Sequence, residues 1–191
     1  DVFALVRRLG ADAVQFDIET KLDPTRPDDT LPPEPFAEAL LAELRGHDLV
    51  ARTMVQSFDW RTLRHLQRQA PGLRRMFLTM DLPQSSNVRD ARWTDGHRLD
   101  DHGGSVPRLV RAAAGDSPGV LWGVIHRLLT PAQVKEAQAL GAATMTLQCD
   151  VSDDAAVRQM MGKIEAAWGH LDALVNNAGT TATWKVKDLE S

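Results

Sequence analysis

The sequence predicts an α/β fold in which helices and parallel strands alternate along the chain. Two observations support this prediction. Short segments in which apolar and polar residues alternate, such as residues 14–18, are followed by segments with the apolar spacing of helices. The connections between the two kinds of segment have the lengths typical of βαβ units, which build parallel sheets.

Most of the predicted helices carry a recognisable signal at one end. Gly10 and Gly46 end the first two helices, because glycine readily adopts the left-handed conformation that follows a helix. Ser57 or Asp59 caps the third helix, and Thr130 followed by proline opens the fifth. In chain order, the predicted elements are helix 2–9, strand 13–18, helix 36–44, strand 49–55, helix 60–69, strand 75–79, helix 106–114, strand 120–125, helix 132–140, strand 143–149, helix 155–168 and strand 171–176.

Composition limits the classes of function. The formal net charge is -4, so no basic surface is expected to attract nucleic acid or anionic lipid. No apolar run approaches the roughly 18 residues of a membrane span, and no secretory signal is recognisable. The single cysteine, Cys149, cannot form an internal disulfide. The default expectation for the compartment is cytoplasmic, or periplasmic if an upstream signal precedes these residues.

The strand at residues 13–18 ends next to a carboxylate and an ammonium, Glu19 and Lys21. In α/β proteins, ligands and catalytic groups lie at the carboxyl ends of the strands. An acid and a base placed there could hold a metal ion and a phosphate oxygen. The spacing alone favours a solvated strand end, because charge pairs are common at such positions.

A second group of metal-ligand types falls within the eight residues 95–102. Their spacing matches no compact coordination site, and the glycines around them favour an exposed polar loop. His65 has no partner at a useful spacing and is expected to be a surface or structural histidine. The members of the group are Asp95, His97, Asp100, Asp101 and His102.

Four segments carry a resemblance that covers residues 2–141. They are residues 16–21 (Phe-Asp-Ile-Glu-Thr-Lys), 55–59 (Val-Gln-Ser-Phe-Asp), 106–110 (Val-Pro-Arg-Leu-Val) and 129–141, which begins Leu-Thr-Pro. On these motifs the chain resembles the bacterial glycerophosphodiester phosphodiesterase family. That family has a TIM-type (β/α) barrel and cleaves glycerophosphodiesters to an alcohol and glycerol 3-phosphate, using a divalent metal and two histidines.

The resemblance implies that Glu19 is a ligand of a divalent metal, Ca²⁺ or Mg²⁺, and that Lys21 faces the substrate phosphate. Gln56, at the end of the next strand, would also line the site. Carboxylate oxygens suit a hard cation, which neutralises a phosphoryl oxygen during attack. The family's His-Arg-Gly motif, second catalytic histidine and other metal-binding acids would lie upstream of these residues. We therefore expect an N-terminally truncated barrel that is inactive as it stands.

After Gly141 the resemblance changes. Residues 149–153 (Cys-Asp-Val-Ser-Asp) and 169–179, which end Asn-Asn-Ala-Gly, look like the middle of a short-chain dehydrogenase/reductase. This resemblance implies an NAD(P) site on a Rossmann-type sheet. The residues it places near the adenine are Asp150 and Val151, and those that would support the cofactor side are Asn176, Ala178 and Gly179. The family's glycine-rich loop is not found, and its catalytic tyrosine cannot be present because the chain has no tyrosine.

The expected architecture is a partial TIM-type (β/α) barrel, residues 1–141, joined to a Rossmann-like βαβ segment, residues 142–191. Six predicted strands are fewer than the eight of a closed barrel, so we expect an open sheet with an exposed edge. Three functions stay open: a phosphoric diester hydrolase acting on a small glycerophosphodiester, an NAD(P)-dependent dehydrogenase/reductase fragment, and a non-catalytic fusion or fragment. The sequence does not predict the oligomeric state.

Overall fold

The computed structural model describes residues 2–143, 147, 149–150 and 152–169. Contacts divide the chain into two units, Asp1–Thr144 and Met145–Ser191. Helices and strands alternate along the first unit. In chain order its elements are α1 (Val2–Arg8), β1 (Phe16–Glu19), α2 (Pro33–Gly46), β2 (Thr53–Ser57), α3 (Trp60–Gln69), β3 (Arg74–Thr79), β4 (Asp81–Leu82), β5 (Ser85–Ser86), α4 (Val106–Ala114), β6 (Val120–Val124) and α5 (Pro131–Ala139).

Within the described residues, the main sheet has four parallel strands in the order β1-β2-β3-β6. This order follows the chain, as a series of βαβ units requires. Strands β4 and β5 form a separate antiparallel pair. The predicted α/β fold with a parallel sheet is therefore confirmed.

Two strands begin later than the sequence predicts. The carbonyl of Val14 accepts hydrogen bonds from Nε and Nη2 of Arg52, at 2.9 and 2.7 Å. A side chain thus satisfies a backbone group that a strand neighbour would otherwise bind, and β1 begins at Phe16 instead of residue 13. Residues Val50–Arg52 form a 3₁₀ turn, so β2 begins at Thr53 instead of residue 49. The predicted strand 143–149 lies largely outside the described residues, and strand 171–176 lies wholly outside them.

Helix α3 has the predicted bounds, and of the two predicted caps, Ser57 and Asp59, it uses Asp59. The Asp59 carboxylate is fully buried and accepts a hydrogen bond from the backbone N–H of Arg61 at 3.1 Å. The same carboxylate pairs with the Arg61 guanidinium at 2.6 Å, and this hydrogen bond raises the pKa of Arg61. The cap satisfies backbone donors that the first turn of a helix leaves free.

The core lies on one face of the sheet. Helices α3 and α4 pack against this face, and α2 packs on α3. Strand β3 shows the alternation, because Arg75, Phe77 and Thr79 are buried while the residues between them are half-buried. The largest apolar side chains that are fully buried in the core are Leu41, Leu44, Val55, Trp60, Leu63, Leu66, Leu73, Phe77, Val88 and Leu109.

Arg75 is a charged residue inside this core. Its guanidinium is fully buried and donates to the carbonyls of Leu73 at 2.5 Å and Pro118 at 3.3 Å. Burial lowers the pKa of Arg75. The side chain therefore ties the amino end of β3 to the turn that precedes β6.

His65 joins helices α2 and α3. The residue is 8% exposed, and its Nε2 lies 2.5 Å from Oε1 of Glu38. Sequence reasoning found no partner for this histidine, because Glu38 lies 27 positions away in the chain. The contact supports the expectation of a structural histidine.

The described part of the second unit contains α6 (Asp154–Trp168). The Asp153 carboxylate caps it, accepting hydrogen bonds from the backbone N–H groups of Ala155 at 2.8 Å and Ala156 at 3.3 Å. The helix ends at Gly169, whose φ of 78° is left-handed. Among the residues that the structure describes, no helix is both long and apolar enough to cross a bilayer.

Candidate functional site

The structure brings Glu19 and Lys21 together at the carboxyl end of β1. Lys21 Nζ lies 2.8 Å from Glu19 Oε1, with 77% of the lysine side chain and 25% of the glutamate side chain exposed. Successive side chains of an extended segment point to opposite faces, so Thr20 points toward α3 while its two neighbours point away from it. The ammonium is thus held by a half-buried carboxylate but remains open to solvent.

Gln56 lies beside Glu19 on the neighbouring strand. The two residues are register partners in the β1–β2 pair, and Met76 of β3 is the next residue in the same row. Neighbouring strands are about 4.8 Å apart, and residues in one row point to the same face. Three predicted residues, Glu19, Lys21 and Gln56, therefore lie at one edge of the sheet, while their roles stay predictions.

Buried hydroxyl groups fix the backbone between Glu19 and Lys21. Thr20 is 2% exposed, and its hydroxyl forms a hydrogen bond of 2.8 Å with the hydroxyl of Thr62 on α3. Its carbonyl accepts a hydrogen bond of 2.7 Å from Ser57 Oγ. Its N–H donates to the Gln56 carbonyl at 3.0 Å, which continues the strand pairing beyond β1. The segment that carries the charge pair is therefore held on three sides.

Asp17 is a further acidic group on the face that carries Glu19. Partial burial raises the pKa of Asp17, and the negative charge of Glu19 raises it further. Sequence reasoning missed this residue as part of the site. The same alternation that places Glu19 on this face also places Asp17 there, so the signal was present in the strand pattern.

The donor set does not fit a complete metal centre. Within the described residues, no three His, Cys, Asp or Glu side chains come together in a way that could hold a metal ion. A Ca²⁺ ion takes roughly six to eight oxygen ligands, whereas Glu19 offers one carboxylate that is already paired with Lys21. The implied role of Glu19 as a metal ligand stays a prediction.

A cavity of about 240 Å³ lies beside the charge pair. Its lining comes from segments that follow the carboxyl ends of β1, β2 and β3, which is where ligands bind in open α/β sheets. Besides Glu19, Thr20, Lys21 and Asn87, the lining residues are Leu22, Phe58, Met80, Ser85, Ser86 and Trp93.

Asn87 holds the cavity wall in place. It is 3% exposed, and its Oδ1 accepts a hydrogen bond from the Met80 N–H at 2.8 Å. Its Nδ2 donates to the carbonyls of Phe58 at 2.8 Å and Leu78 at 2.9 Å. One side chain thus joins the loop after β2, the end of β3 and the segment after β5. No local sequence signal indicates this role, because the partners come from two other segments, 7 to 29 positions away in the chain.

Among the described residues, no three His, Cys, Asp or Glu side chains of the loop at residues 95–102 come together in a way that could hold a metal ion. The rings of His97 and His102 lie 6.4 Å apart, and Asp95 pairs with Arg64 at 3.4 Å. Partial burial lowers the pKa of His97, and the nearby Arg64 lowers it further. An ion pair and packing between rings therefore account for these contacts of the loop.

Asp150 makes a local turn before α6. Its Oδ1 accepts hydrogen bonds from the Ser152 N–H at 2.9 Å and from the Ser152 hydroxyl at 2.7 Å, and these bonds lower the pKa of the carboxyl group. The other residues implied in NAD(P) binding lie outside the described residues; they are Val151, Asn176, Ala178 and Gly179.

Comparisons with known proteins divide along the chain. The family model described as short chain dehydrogenase matches residues 119–191. Sepiapterin reductase from Chlorobaculum tepidum is 44% identical over 54 residues, which are 28% of this chain and 22% of the reductase. The match to the family model begins at residue 119, before the boundary that the sequence predicts between residues 141 and 142. The position of that boundary stays a prediction.

Two solved structures resemble the chain. A protein assigned as a glycerophosphoryl diester phosphodiesterase from Silicibacter pomeroyi matches with a TM-score of 0.54 and 28% identity, over 84% of this chain and 48% of that protein. A glycerophosphodiester phosphodiesterase from Parabacteroides distasonis matches with a TM-score of 0.39 and 15% identity, over 88% and 65% of the two chains.

The chain spans less than half of the Silicibacter structure and about a fifth of the reductase. The comparisons support both parts of the resemblance, a glycerophosphodiester phosphodiesterase-like part and a short-chain dehydrogenase-like part.

Proposed function

We propose that the first unit is the phosphodiester-binding part of a phosphoric diester hydrolase of the glycerophosphodiester phosphodiesterase kind. The observation that carries this proposal is the ion pair of Lys21 and Glu19 at the carboxyl edge of the sheet, beside a cavity. Ligands of α/β proteins bind at this edge. The likeness to the Silicibacter phosphodiesterase, at 28% identity, supports the same reading.

The stagger of the four strands supports a barrel of which these strands form only a part. The row formed by Glu19, Gln56, Met76 and Leu121 starts at the last residue of β1 and reaches the second residue of β6. A sheet closes into a barrel only when its strands are tilted and staggered in this way. We therefore propose that the four strands belong to a TIM-type arrangement, with Glu19 and Gln56 on its inner face.

In this site Lys21 would bind a phosphate oxygen. Its ammonium is 77% exposed and carries three donors, while Glu19 uses one of them and orients the group. A bound phosphate would replace water around the ammonium without removing Glu19, because Nζ can donate to both. Cleavage to an alcohol and glycerol 3-phosphate is proposed for the complete enzyme, and the present residues are assigned binding and orientation.

Replacing Lys21 by methionine is expected to weaken the binding of glycerol 3-phosphate by about 10- to 150-fold. The change removes a hydrogen bond to a charged group, worth about 1.5–3 kcal/mol, and keeps most of the side-chain length. Isothermal titration calorimetry at low salt measures the affinity. Lys135→Met is the matched control, since Lys135 is exposed on α5 and does not line the cavity.

The proposal fails if the wild-type chain binds glycerol 3-phosphate no better than Lys21→Met does. It also fails if the control variant loses as much affinity, since the effect would then reflect net charge alone. Release of glycerol 3-phosphate from a glycerophosphodiester, with Ca²⁺ or Mg²⁺ added, tests separately whether hydrolysis occurs in this chain.

A second candidate function is binding of NAD(P) by the second unit. The match of the short-chain dehydrogenase model to residues 119–191 favours it, as does the 44% identity to sepiapterin reductase over 54 residues. We propose that Asp150 binds the adenine end of the cofactor, because its carboxylate keeps one oxygen, Oδ2, outside the turn with Ser152. Val151, Asn176, Ala178 and Gly179 are proposed to complete that site.

For this candidate, titration with NADH is expected to give a saturable change in tryptophan fluorescence. Asp150→Ala should weaken the binding about tenfold by removing a hydrogen-bond acceptor. Asp154→Ala is the control, since Asp154 is an exposed acid of the first turn of α6. Absence of any saturable change at millimolar NADH would rule this function out.

A further inference from the structure

We infer that the cavity of about 240 Å³ beside Lys21 holds the uncharged organic substituent of a phosphodiester, and that it selects short neutral groups over anionic ones. The inference rests on the proposed function, because Lys21 must bind the phosphate for the substituent to reach the cavity. It adds a substrate preference that neither the fold nor the comparisons provide.

The walls of the cavity are mainly apolar. Leu22, Phe58, Met80 and Trp93 contribute one aliphatic, one thioether and two aromatic side chains. Leu22 is 8% exposed, and the other three are half-buried. An aliphatic group that leaves water for such a wall gains about 0.8 kcal/mol for each methylene.

The charged residues of the cavity neutralise one another. Glu19 and Lys21 are the charged residues among its described lining, and they are paired at 2.8 Å. When the phosphate binds Lys21, the Glu19 carboxylate stays in the lining and repels a carboxylate on the substituent. An anionic group placed there would lose its hydration without compensation.

Most polar groups of the lining are already engaged in hydrogen bonds. Both ends of the Asn87 amide bind backbone groups, and the Thr20 hydroxyl is paired with Thr62. Ser86 Oγ accepts hydrogen bonds from the N–H groups of Val88 and Arg89, both at 3.3 Å. The remaining side-chain hydroxyl of the lining is that of Ser85, which lies at the exposed rim. The interior therefore offers packing and few hydrogen bonds.

The volume limits the size of the substituent. Sites for drug-sized ligands measure about 300–1,000 Å³, and this cavity, at about 240 Å³, is smaller. A short alkyl group fits this space better than a long acyl chain. We therefore infer a preference for compact neutral alcohols as the cavity-bound part of the diester.

Dimethyl and diethyl phosphate test the inference by calorimetry on the intact chain. Diethyl phosphate is expected to bind about fourfold more tightly, which is the effect of one additional methylene in the cavity. Ethyl 2-carboxyethyl phosphate, which adds a carboxylate to one arm, is expected to bind at least tenfold more weakly than diethyl phosphate. Equal affinity for all three diesters would overturn the inference.

Ser85→Phe fills the cavity from its rim, at an exposed position of the β4–β5 hairpin. It is expected to abolish the preference for diethyl over dimethyl phosphate. Gln84→Phe is the matched control, because Gln84 is exposed on the same hairpin but does not line the cavity. This variant should keep the wild-type preference, and loss of the preference in both variants contradicts the inference.

The two proposals fail in different ways. If no diester binds, or if binding is unaffected by Lys21→Met, the proposed function is wrong and the inference falls with it. If dimethyl phosphate binds through Lys21 but the ethyl groups add nothing, the phosphate site stands and the cavity is not its substituent site. The two diesters are compared on the wild-type chain, so this test does not depend on whether a variant folds.

Discussion

Trp60→Ala is expected to lower the free energy of unfolding by about 3–5 kcal/mol, the range for large aromatic residues replaced in cores. The Trp60 side chain is fully buried, and its ring contacts the Phe77 ring edge-to-face at 5.2 Å between centroids. Its Nε1 donates to the Leu78 carbonyl at 3.1 Å. The alanine variant would leave a cavity between α3 and β3. Urea unfolding followed by far-ultraviolet circular dichroism measures the loss.

Trp60→Phe separates packing from hydrogen bonding at this position. It keeps an aromatic ring against Phe77 and removes the indole donor, so a smaller loss of about 1–2 kcal/mol is expected. If the two variants are destabilised equally, the hydrogen bond would account for the effect and the packing argument would be wrong. Comparing the denaturant dependence of both variants checks that unfolding exposes similar surface.

Asn87→Ala is expected to cost about 2–4 kcal/mol and to weaken phosphodiester binding as well. The variant leaves the Met80 N–H and the Phe58 carbonyl, both within the cavity wall, without the side chain that binds them. A buried backbone group without a partner costs about 1–3 kcal/mol. Thermal and urea unfolding give the change in stability, and calorimetry with diethyl phosphate gives the change in affinity.

Asn87→Asp is the control for the asparagine. The carboxylate retains an acceptor for the Met80 N–H but lacks the amide donors that bind two carbonyls. We expect this variant to bind diesters less well than the wild type because it places a negative charge in the cavity lining. An alanine variant as stable as the wild-type chain would show that the loops hold together without this residue.

Local signals predicted much of the fold. A cap at Ser57 or Asp59 and the following helical spacing predicted α3 with its observed bounds, and Thr130 with the next proline predicted α5 to within one residue. The alternation over β1 also predicted that Glu19 and Lys21 would meet at a strand end, where the structure places them 2.8 Å apart. Each of these features depends on residues that are close in the chain.

Features that depend on distant residues were not predicted. The buried guanidinium of Arg75 is satisfied partly by a carbonyl 43 positions away, so the strand pattern alone gives no reason to bury it. Asn87 bonds to a carbonyl 29 positions before it. The first three residues of the predicted strand 13–18 lie outside β1 because Arg52 supplies the partner for Val14. In each case, a contact between separate segments decides the outcome.

The residue ranges of the two resemblances overlap along the chain. The short-chain dehydrogenase match begins at residue 119 and so includes β6 and α5, which belong to the first unit. A strand followed by a helix is the repeating unit of both barrel and Rossmann-type sheets. The capped helix α5 and strand β6 therefore suit either architecture, and the position of the boundary depends on more than secondary structure.

The sequential order of the sheet has a consequence for how the protein is made. Each strand pairs with the sheet strand synthesised before it, so a chain emerging from the ribosome can add strand and helix units one at a time. Among the described strands, the pairing of β1 with β2 needs only α2 and its connecting loops between them. Translation and assembly of the described strands of the first unit can therefore run in the same direction.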